Sequence, residues 1–200
     1  MPRLLLATKN PGKIAEFRQL LDGCGWEIVT PTELGLNLEI EESGQTYREN
    51  ATIKAVGYAK ASGLVALADD SGLEVDALGG RPGVLSARDA GADRTDPERV
   101  QALLQELAGV PDEERSARFR AVIVIADGQG RMEQVEGTVE GRIAHKPRGE
   151  NGFGYDPIFL LPERGMTTAE LPSGEKHAIS HRGVAARKAR IVLERWLREA

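Results

Sequence analysis

The chain has 200 residues, of which 40% are hydrophobic and 28% are charged, and its net charge is −5. These proportions exclude a disordered chain and predict one globular domain, residues 1–200, or two closely fused lobes, with a sizeable core. The single cysteine, Cys24, excludes an internal disulfide, and with only three histidines the chain has no Cys/His zinc set. The net negative charge works against a broad nucleic-acid surface, so we expect no nucleic-acid partner.

Apolar stretches in the chain are short. No uninterrupted run approaches the roughly 18 residues of a membrane span, and Leu4 to Leu6 is too short for the core of a secretory signal. We therefore expect no membrane partner and a cytoplasmic location.

The first half of the chain alternates between predicted strands and helices. Asn10 is a good N-cap and Pro11 suits the first helical position, while Thr46 and Glu49 form a capping-box pattern. An apolar strand is expected to end directly before Asp69. The predicted strands therefore lie at 4–7, 26–30 and 64–68, and the helices at 10–21 and from 46 onward.

The second half contains adjacent strands. After a helix from about Asp96, the apolar patterns predict a hairpin of strands 119–126 and 132–144, then a strand at 157–161. Ser180 is expected to cap a last, amphipathic helix. Together the two halves favour an α/β fold, a mixed sheet with helices on its faces and antiparallel strands in the second half.

The first candidate site is a polar loop that leads into the first helix. Unpaired backbone N–H groups and the positive end of the helix dipole attract phosphate at such a place, and Lys9 and Lys13 add full charges. A capped helix with solvent-facing lysines would give the same pattern. The segment is Thr8-Lys9-Asn10-Pro11-Gly12-Lys13.

Two acidic pairs form the second candidate site. Asp69 and Asp70 follow an apolar strand, and Glu41 and Glu42 lie in a loop. One or two carboxylates together with substrate phosphate oxygens are enough to hold Mg²⁺. A turn in which an aspartate caps backbone amides is the alternative interpretation.

The third candidate site is a glycine-rich loop with two aromatic residues, Phe153 and Tyr155. Aromatic residues make up only 4% of the chain, so these rings are candidates for stacking on a flat base. Rings that simply pack inward are the alternative.

Taken together, these stretches resemble one family, the inosine triphosphate pyrophosphatase or Ham1-like family, in its bacterial form. The motifs occur in the family's order, span residues 8–183, and are far more specific jointly than singly. Beside Thr8 to Lys13 and Glu41-Glu42 they are Ala68 to Leu73, Gly80-x-Pro82-Gly83, Ser86-Ala87-Arg88, Phe153 to Pro157 and Ser180 to Gly183.

The resemblance implies an elongated mixed sheet in two lobes with a central cleft, and a homodimer. It also implies Mg²⁺-dependent hydrolysis of a nucleoside triphosphate between the α and β phosphates, giving a nucleoside monophosphate and pyrophosphate. The family prefers the inosine, deoxyinosine and xanthosine triphosphates (ITP, dITP and XTP), and its role is to remove deaminated purines from the nucleotide pool.

Carried over by position, Asp70 corresponds to the proton acceptor that activates the attacking water, and Glu41 and Asp70 correspond to metal ligands. Asp69 and Glu42 stay open as alternatives, because the sequence does not separate neighbouring acids. The contacts implied for the substrate, mainly for its phosphates, are Thr8, Lys9, Asn10, Pro11, Gly12, Lys13 and Ser71.

The resemblance also implies a base site. Phe153 corresponds to the stacking ring, within a loop that includes Gly154 and Tyr155. Groups that hydrogen-bond a 6-oxo purine would reject adenine, whose 6-amino group would meet donors with a donor. The residues implied to read the purine edge are Asp156, Lys176, His181 and Arg182.

Two other functions remain open. A Maf-like pyrophosphatase would act on other modified nucleotides, and Phe153 and the His181-Arg182 pair speak against it. A non-catalytic nucleotide sensor could have lost its metal-binding acids, whereas this chain has Glu41, Asp69 and Asp70.

Overall fold

The structure is a computed structural model that describes residues 1–87, 91 and 94–199. The chain divides into two compact units. Arg88, part of one predicted motif, lies outside the described residues. The first unit comprises Met1–Asp70, Ala121–Gly137 and Arg182–Ala200, and the second comprises Ser71–Arg120 and Thr138–His181.

The structure contains helices and strands in an α/β arrangement, which confirms the predicted class. The helices are α1 (Pro11–Leu20), α2 (Tyr47–Ser62), α3 (Asp96–Glu106), α4 (Ser173–Ile179) and α5 (His181–Glu199). The strands are β1 (Arg3–Leu6), β2 (Glu27–Val29), β3 (Val65–Val75), β4 (Ser116–Ala126), β5 (Met132–Ile143), β6 (Phe159–Leu161) and β7 (Met166–Thr167).

The strands form one seven-stranded mixed sheet in the order β2-β1-β3-β4-β5-β6-β7. β1 pairs in parallel with β2 and β3, with Leu4 opposite Ile28 and Val65. The pairs β5–β6 and β6–β7 are antiparallel, with Ile143 opposite Phe159. The predicted contrast between an alternating first half and an antiparallel second half is therefore confirmed.

The predicted capping groups hold the helix starts. The Asn10 side chain accepts a hydrogen bond from the backbone N–H of Lys13, with Pro11 at the first position of α1. Thr46 and Glu49 form the reciprocal capping box of α2. These caps satisfy backbone donors that the first helical turn leaves unpaired, which fixes where each helix begins.

The predicted end of β3 is wrong. The strand does not end at Ala68, directly before Asp69, but continues to Val75, so that both aspartates lie inside it. Leu73 and Val75 are fully buried, and Leu73 N–H donates to Ser86 Oγ at 2.9 Å. Burial of these apolar side chains keeps the strand extended through a sequence that resembles a turn.

Each unit has its own apolar core. In the first, Leu4, Phe17 and Leu193 belong to one buried cluster. In the second, Leu73 and Phe159 belong to another. None of the helices in the described part of the chain is both long and apolar enough to cross a membrane.

Candidate active site

The loop between β1 and α1 is ordered by its own side chains. Thr8 Oγ1 accepts a hydrogen bond from the N–H of Asn10 at 3.1 Å, and Asn10 Oδ1 accepts one from the N–H of Lys13 at 3.0 Å. Lys9 is exposed and Gly12 is half-buried. The loop therefore presents a helix N-terminus beside two lysines, as the sequence predicted.

Asp69 is held by two cations. Its side chain has no exposed surface, and Lys13 Nζ lies 3.0 Å from Oδ1. Arg182 Nε and Nη2 each lie 3.4 Å from Oδ2. Asp69 is thus the anionic centre of a buried ion-pair network and is neutralised within it.

Glu16 extends this network and was not identified from the sequence. It lies on α1, is 8% exposed, and its Oε2 is 2.6 Å from Arg182 Nη1. Arg182 therefore bridges Asp69 and Glu16 in the first unit. The base-reading role implied for Arg182 stays a prediction.

Asp70 has different neighbours from Asp69. Asn50 Nδ2 donates to Asp70 Oδ2 at 3.2 Å, and Lys54 Nζ lies 3.5 Å from Oδ1. Asn50 and Lys54 are four residues apart on α2, so they share one face of the helix. We refer to Lys13, Lys54, Asp69 and Asp70 as the aspartate–lysine cluster.

Asn50 also holds the loop that carries the second acidic pair. Its Oδ1 accepts a hydrogen bond from the N–H of Gly44 at 2.8 Å, and the side chain is fully buried. A Cβ at Gly44 would lie 2.6 Å from the Glu49 Cβ. The loop can approach α2 this closely because residue 44 has no side chain, and Asn50 connects this loop to Asp70.

Glu42 rather than Glu41 contacts the cluster. Glu42 Oε2 lies 3.2 Å from Lys54 Nζ, whereas Glu41 is exposed next to it. Lys54 therefore lies between the carboxylates of Glu42 and Asp70.

The pKa values of the two adjacent aspartates are shifted in opposite directions. Burial raises the pKa of the Asp70 carboxyl; Glu42 and Asp69 add to this effect, which the lysines only partly oppose. Burial would also raise the pKa of Asp69, but the ion pairs with Lys13 and Arg182 outweigh it and lower that pKa. Asp70 is therefore the better proton acceptor of the two, a distinction that the sequence left open.

The donor set near Asp70 suits a hard cation. Carboxylate oxygens are the ligands that Mg²⁺ prefers, and it needs only one or two of them besides phosphate and water. Asp70 and the Glu41-Glu42 loop supply such groups, and the carboxylates of Asp70 and Glu42 both lie close to Lys54. Within the described residues, no three His, Cys, Asp or Glu side chains are grouped to hold a metal ion.

A second buried acid–lysine pair lies in the second unit. Asp156 Oδ2 is 2.6 Å from Lys176 Nζ and accepts the N–H of Phe153 at 2.9 Å. Asp156 Oδ1 accepts the hydroxyl of Thr168 at 2.8 Å. The structure thus brings together three residues predicted for the base site, Phe153, Asp156 and Lys176.

The glycine loop closes tightly over this pair. Gly152 has φ 77°, and a Cβ there would lie 2.1 Å from Asp156 Oδ2 and 2.9 Å from Lys176 Nζ. The half-buried Phe153 has Lys176 Nζ 5.4 Å from its ring centroid, whereas Tyr155 is buried in the core of the second unit. Of the two rings, Tyr155 is the one that packs inward.

His181 and Gly154, which are also predicted for the base site, have different contacts from those of Asp156 and Lys176. His181 is 5% exposed, and its ring stacks on Phe119 with centroids 4.8 Å apart. Gly154 N–H donates to Asp96 Oδ2 at 2.7 Å. Ser71 is half-buried on β3, directly after Asp70.

Comparison with known proteins places these features in context. The Ham1 family model matches residues 4–191. The chain is 49% identical over 194 residues to a dITP/XTP pyrophosphatase of Bacillus licheniformis, covering 97% of this chain and 99% of that protein. It is 52% identical over 185 residues to a dITP/XTP pyrophosphatase of Thermus thermophilus, covering 92% and 88%.

Solved structures of Ham1 proteins have the same fold as this chain. A Ham1 protein from Coxiella burnetii superimposes with a TM-score of 0.88 at 46% identity, covering all of both chains. The Staphylococcus aureus Ham1 protein gives a TM-score of 0.85 at 39% identity, covering 96% of this chain and 98% of that one.

Proposed function

The chain belongs to the Ham1 family, and we propose that it is a nucleoside triphosphate pyrophosphatase, a hydrolase that acts on acid anhydrides. Its substrates are the triphosphates of deaminated purines, ITP, dITP and XTP. It cleaves between the α and β phosphates and releases a nucleoside monophosphate and pyrophosphate. Its role is then to remove deaminated purines from the nucleotide pool.

The aspartate–lysine cluster carries this proposal. It combines two lysines, which can bind phosphate oxygens, with two carboxylates of different character. Hydrolysis of a phosphoanhydride needs positive charge on the phosphates and a group that accepts a proton from water. The cluster supplies both in one unit of the chain.

Asp70 is the group that takes the proton from the attacking water. Burial raises its pKa, and Asn50 fixes its orientation by donating to one oxygen. Asp69 is committed to Lys13 and Arg182 and serves to position them. The proton therefore passes to Asp70 and not to its neighbour.

The positive groups hold the triphosphate. The N-terminus of α1 offers backbone N–H groups, and Lys9 and Lys13 add charges that stabilise the leaving pyrophosphate. Asp70, Asp69 and Glu42 together raise the pKa of Lys54 despite its burial, so Lys54 stays cationic. Ser71 is a further substrate contact.

Magnesium is the cofactor of the proposed reaction. Asp70 and the exposed Glu41 would hold the ion, while Glu42 lies 3.2 Å from Lys54. A bound Mg²⁺ would offset the negative charge of the phosphate oxygens.

The base would be recognised by residues of the glycine loop and those that follow it. Phe153 would stack on the purine, and the edge would be read by Asp156, Lys176, His181 and Arg182. The ammonium group of Lys176 can donate to the 6-oxo group of hypoxanthine or xanthine, whereas adenine offers a 6-amino donor. This accounts for the expected discrimination against ATP.

We also propose that the protein is a homodimer located in the cytoplasm. The family resemblance supports the dimer, and a substrate in the nucleotide pool supports the location. Light scattering coupled to size-exclusion chromatography tests the dimer; a mass of one chain across micromolar concentrations contradicts it.

The test of the proposed function is product analysis with ITP and ATP, with and without Mg²⁺. We expect inosine monophosphate and pyrophosphate from ITP only with metal, and at least about 10²-fold slower cleavage of ATP. Orthophosphate as the product would show that another bond is cleaved. Binding of ITP without cleavage would favour a nucleotide sensor instead.

A further inference from the structure

The second unit has a cavity that the proposed reaction does not use. It has a volume of about 280 Å³ and lies between the 3-10 turn Asp112–Glu114 and the end of β5. Cavities of a few hundred Å³ are typical of small-molecule sites. We refer to it as the basic pocket.

Its lining is strongly cationic. The lining includes one carboxylate, Asp112, and four cationic side chains, those of Arg115, Arg142, Lys146 and Arg148. The whole chain carries a net charge of −5, so the charge of the pocket lining is opposite in sign to that of the protein. Four like charges around one cavity repel each other, and a bound anion would relieve that repulsion.

Arg115 is a fixed charge at the base of this lining. It is 3% exposed, and its guanidinium donates to the carbonyls of Ile143 at 2.8 Å, Leu107 at 2.9 Å and Ala144 at 3.1 Å. These carbonyls are neutral and hold the guanidinium in place without cancelling its charge, and Asp112 is an acid that acts on it electrostatically.

Arg142 and Lys146 can move toward a ligand. Both are exposed, and Arg142 Nη1 lies 3.4 Å from the carbonyl oxygen of Asp112. Arg148, in contrast, donates to Gly165 O at 3.0 Å and lies 3.4 Å from Glu170. Arg142 and Lys146 are therefore the cations best able to close on an anion.

Apolar side chains complete the lining. Ile143 is 2% exposed and Leu160 is half-buried, and both are among the residues that line the cavity. A purely inorganic ion would leave this surface uncovered, whereas a phosphate ester has an organic part that can cover it.

We propose that the basic pocket binds a phosphate-bearing small molecule, with its phosphate on Arg142 and Lys146. The charge of Arg115 lies behind the phosphate, and Ile143 and Leu160 face the organic part. None of these residues belongs to the aspartate–lysine cluster or the proposed base site, so this inference does not rest on the proposed function.

Methyl NMR of protein labelled at Ile and Leu tests the proposal, because Ile143 and Leu160 report on the basic pocket while Ile14, next to Lys13, reports on the phosphate loop. Titration with inorganic pyrophosphate or inosine monophosphate should shift the Ile143 and Leu160 methyls saturably. Inosine without phosphate, and sodium chloride at equal ionic strength, should not. Inorganic phosphate should act more weakly than the monophosphate if the organic part contributes.

The double variant Arg142→Ala/Lys146→Ala should weaken the Ile143 response at least tenfold and leave the Ile14 response unchanged. Its matched control is Arg3→Ala/Lys60→Ala, which removes the same charge at exposed positions in the first unit and should change both responses less than twofold. The proposal is overturned if Ile143 shows no saturable shift. It is equally overturned if inosine alone shifts Ile143 as strongly, or if both double variants respond alike.

Discussion

The two units each bury an aspartate–lysine pair, but the surroundings differ. Asp69 and Lys13 lie 3.0 Å apart in the first unit, and Asp156 and Lys176 lie 2.6 Å apart in the second. Beside the first pair stands a second carboxylate, Asp70, with a raised pKa. In the second pair, Asp156 also accepts hydrogen bonds from the Phe153 backbone N–H and the Thr168 hydroxyl.

The same type of ion pair has a different proposed role in each unit. In the second unit Asp156 joins Lys176, the Thr168 hydroxyl and the Phe153 N–H of the glycine loop, so the pair fixes the surface that we propose binds the base. In the first unit the ion pairs with Lys13 and Arg182 stabilise the charged form of Asp69, whereas the charged form of Asp70 is stabilised less. We therefore propose that the first pair supports catalysis, because it lowers the pKa of Asp69 while the pKa of the neighbouring Asp70 is raised.

The largest expected effect comes from breaking the first pair. Asp69→Asn leaves the Lys13 and Arg182 charges without their shared anion, and we expect a loss of about 3–5 kcal/mol in the free energy of unfolding. Urea denaturation measures it. Asp22→Asn, at an exposed acid of the same unit, should change that free energy by less than about 0.5 kcal/mol. Equal losses in both variants would contradict the role of Asp69.

A smaller effect is expected from crowding the second pair. Gly152→Ala would place a methyl group against Asp156 and Lys176 as well as strain the backbone, and should cost about 3 kcal/mol in unfolding free energy and raise KM for ITP. Gly154→Ala has a similar positive φ, 64°, but open space around its Cβ, so only the backbone cost of about 1 kcal/mol remains. Thermal unfolding and steady-state kinetics separate the two; identical behaviour would show that the contact with the pair is unimportant.

The mildest change removes the Asn50 contact between α2 and Asp70 and leaves the Lys54 contact in place. Asn50→Ala leaves a buried Asp70 oxygen and the Gly44 N–H without their partner, at a cost of about 2 kcal/mol in unfolding free energy. Because Asp70 loses its orientation, kcat for ITP should fall about tenfold with little change in KM. Asn37→Ala, at an exposed position, serves as the control. A rise in KM with unchanged kcat would assign Asn50 to substrate binding instead.

Local signals predicted the framework of both sites. The caps at Asn10 and Thr46 fixed the starts of α1 and α2, and Phe153 and Asp156 came together as the motif indicated. Capping depends on residues within one turn, so it can be read from the sequence. The end of β3 could not, because it depends on the burial of Leu73 and Val75 in a distant core.

The residues that the sequence missed act through tertiary contacts. Glu16, Asn50 and Lys54 are ordinary helical positions until their helices pack against β3. The spacing of Asn50 and Lys54, four residues apart after an acidic loop, is the one signal that could have indicated a shared face. Helix α4, which carries Lys176, begins at Ser173 with no side-chain cap, and the sequence analysis did not identify it.

The measurement that tests the central claim most directly is kcat for ITP with Asp70→Asn, under conditions where the variant is folded. The account predicts a fall of about 10³-fold with an unfolding free energy within about 1 kcal/mol of the parent chain. Retention of activity within about threefold would contradict it. The opposite result for the two aspartates would also contradict it. In that case Asp69→Asn would be as stable as the parent chain but inactive, and Asp70→Asn would stay active.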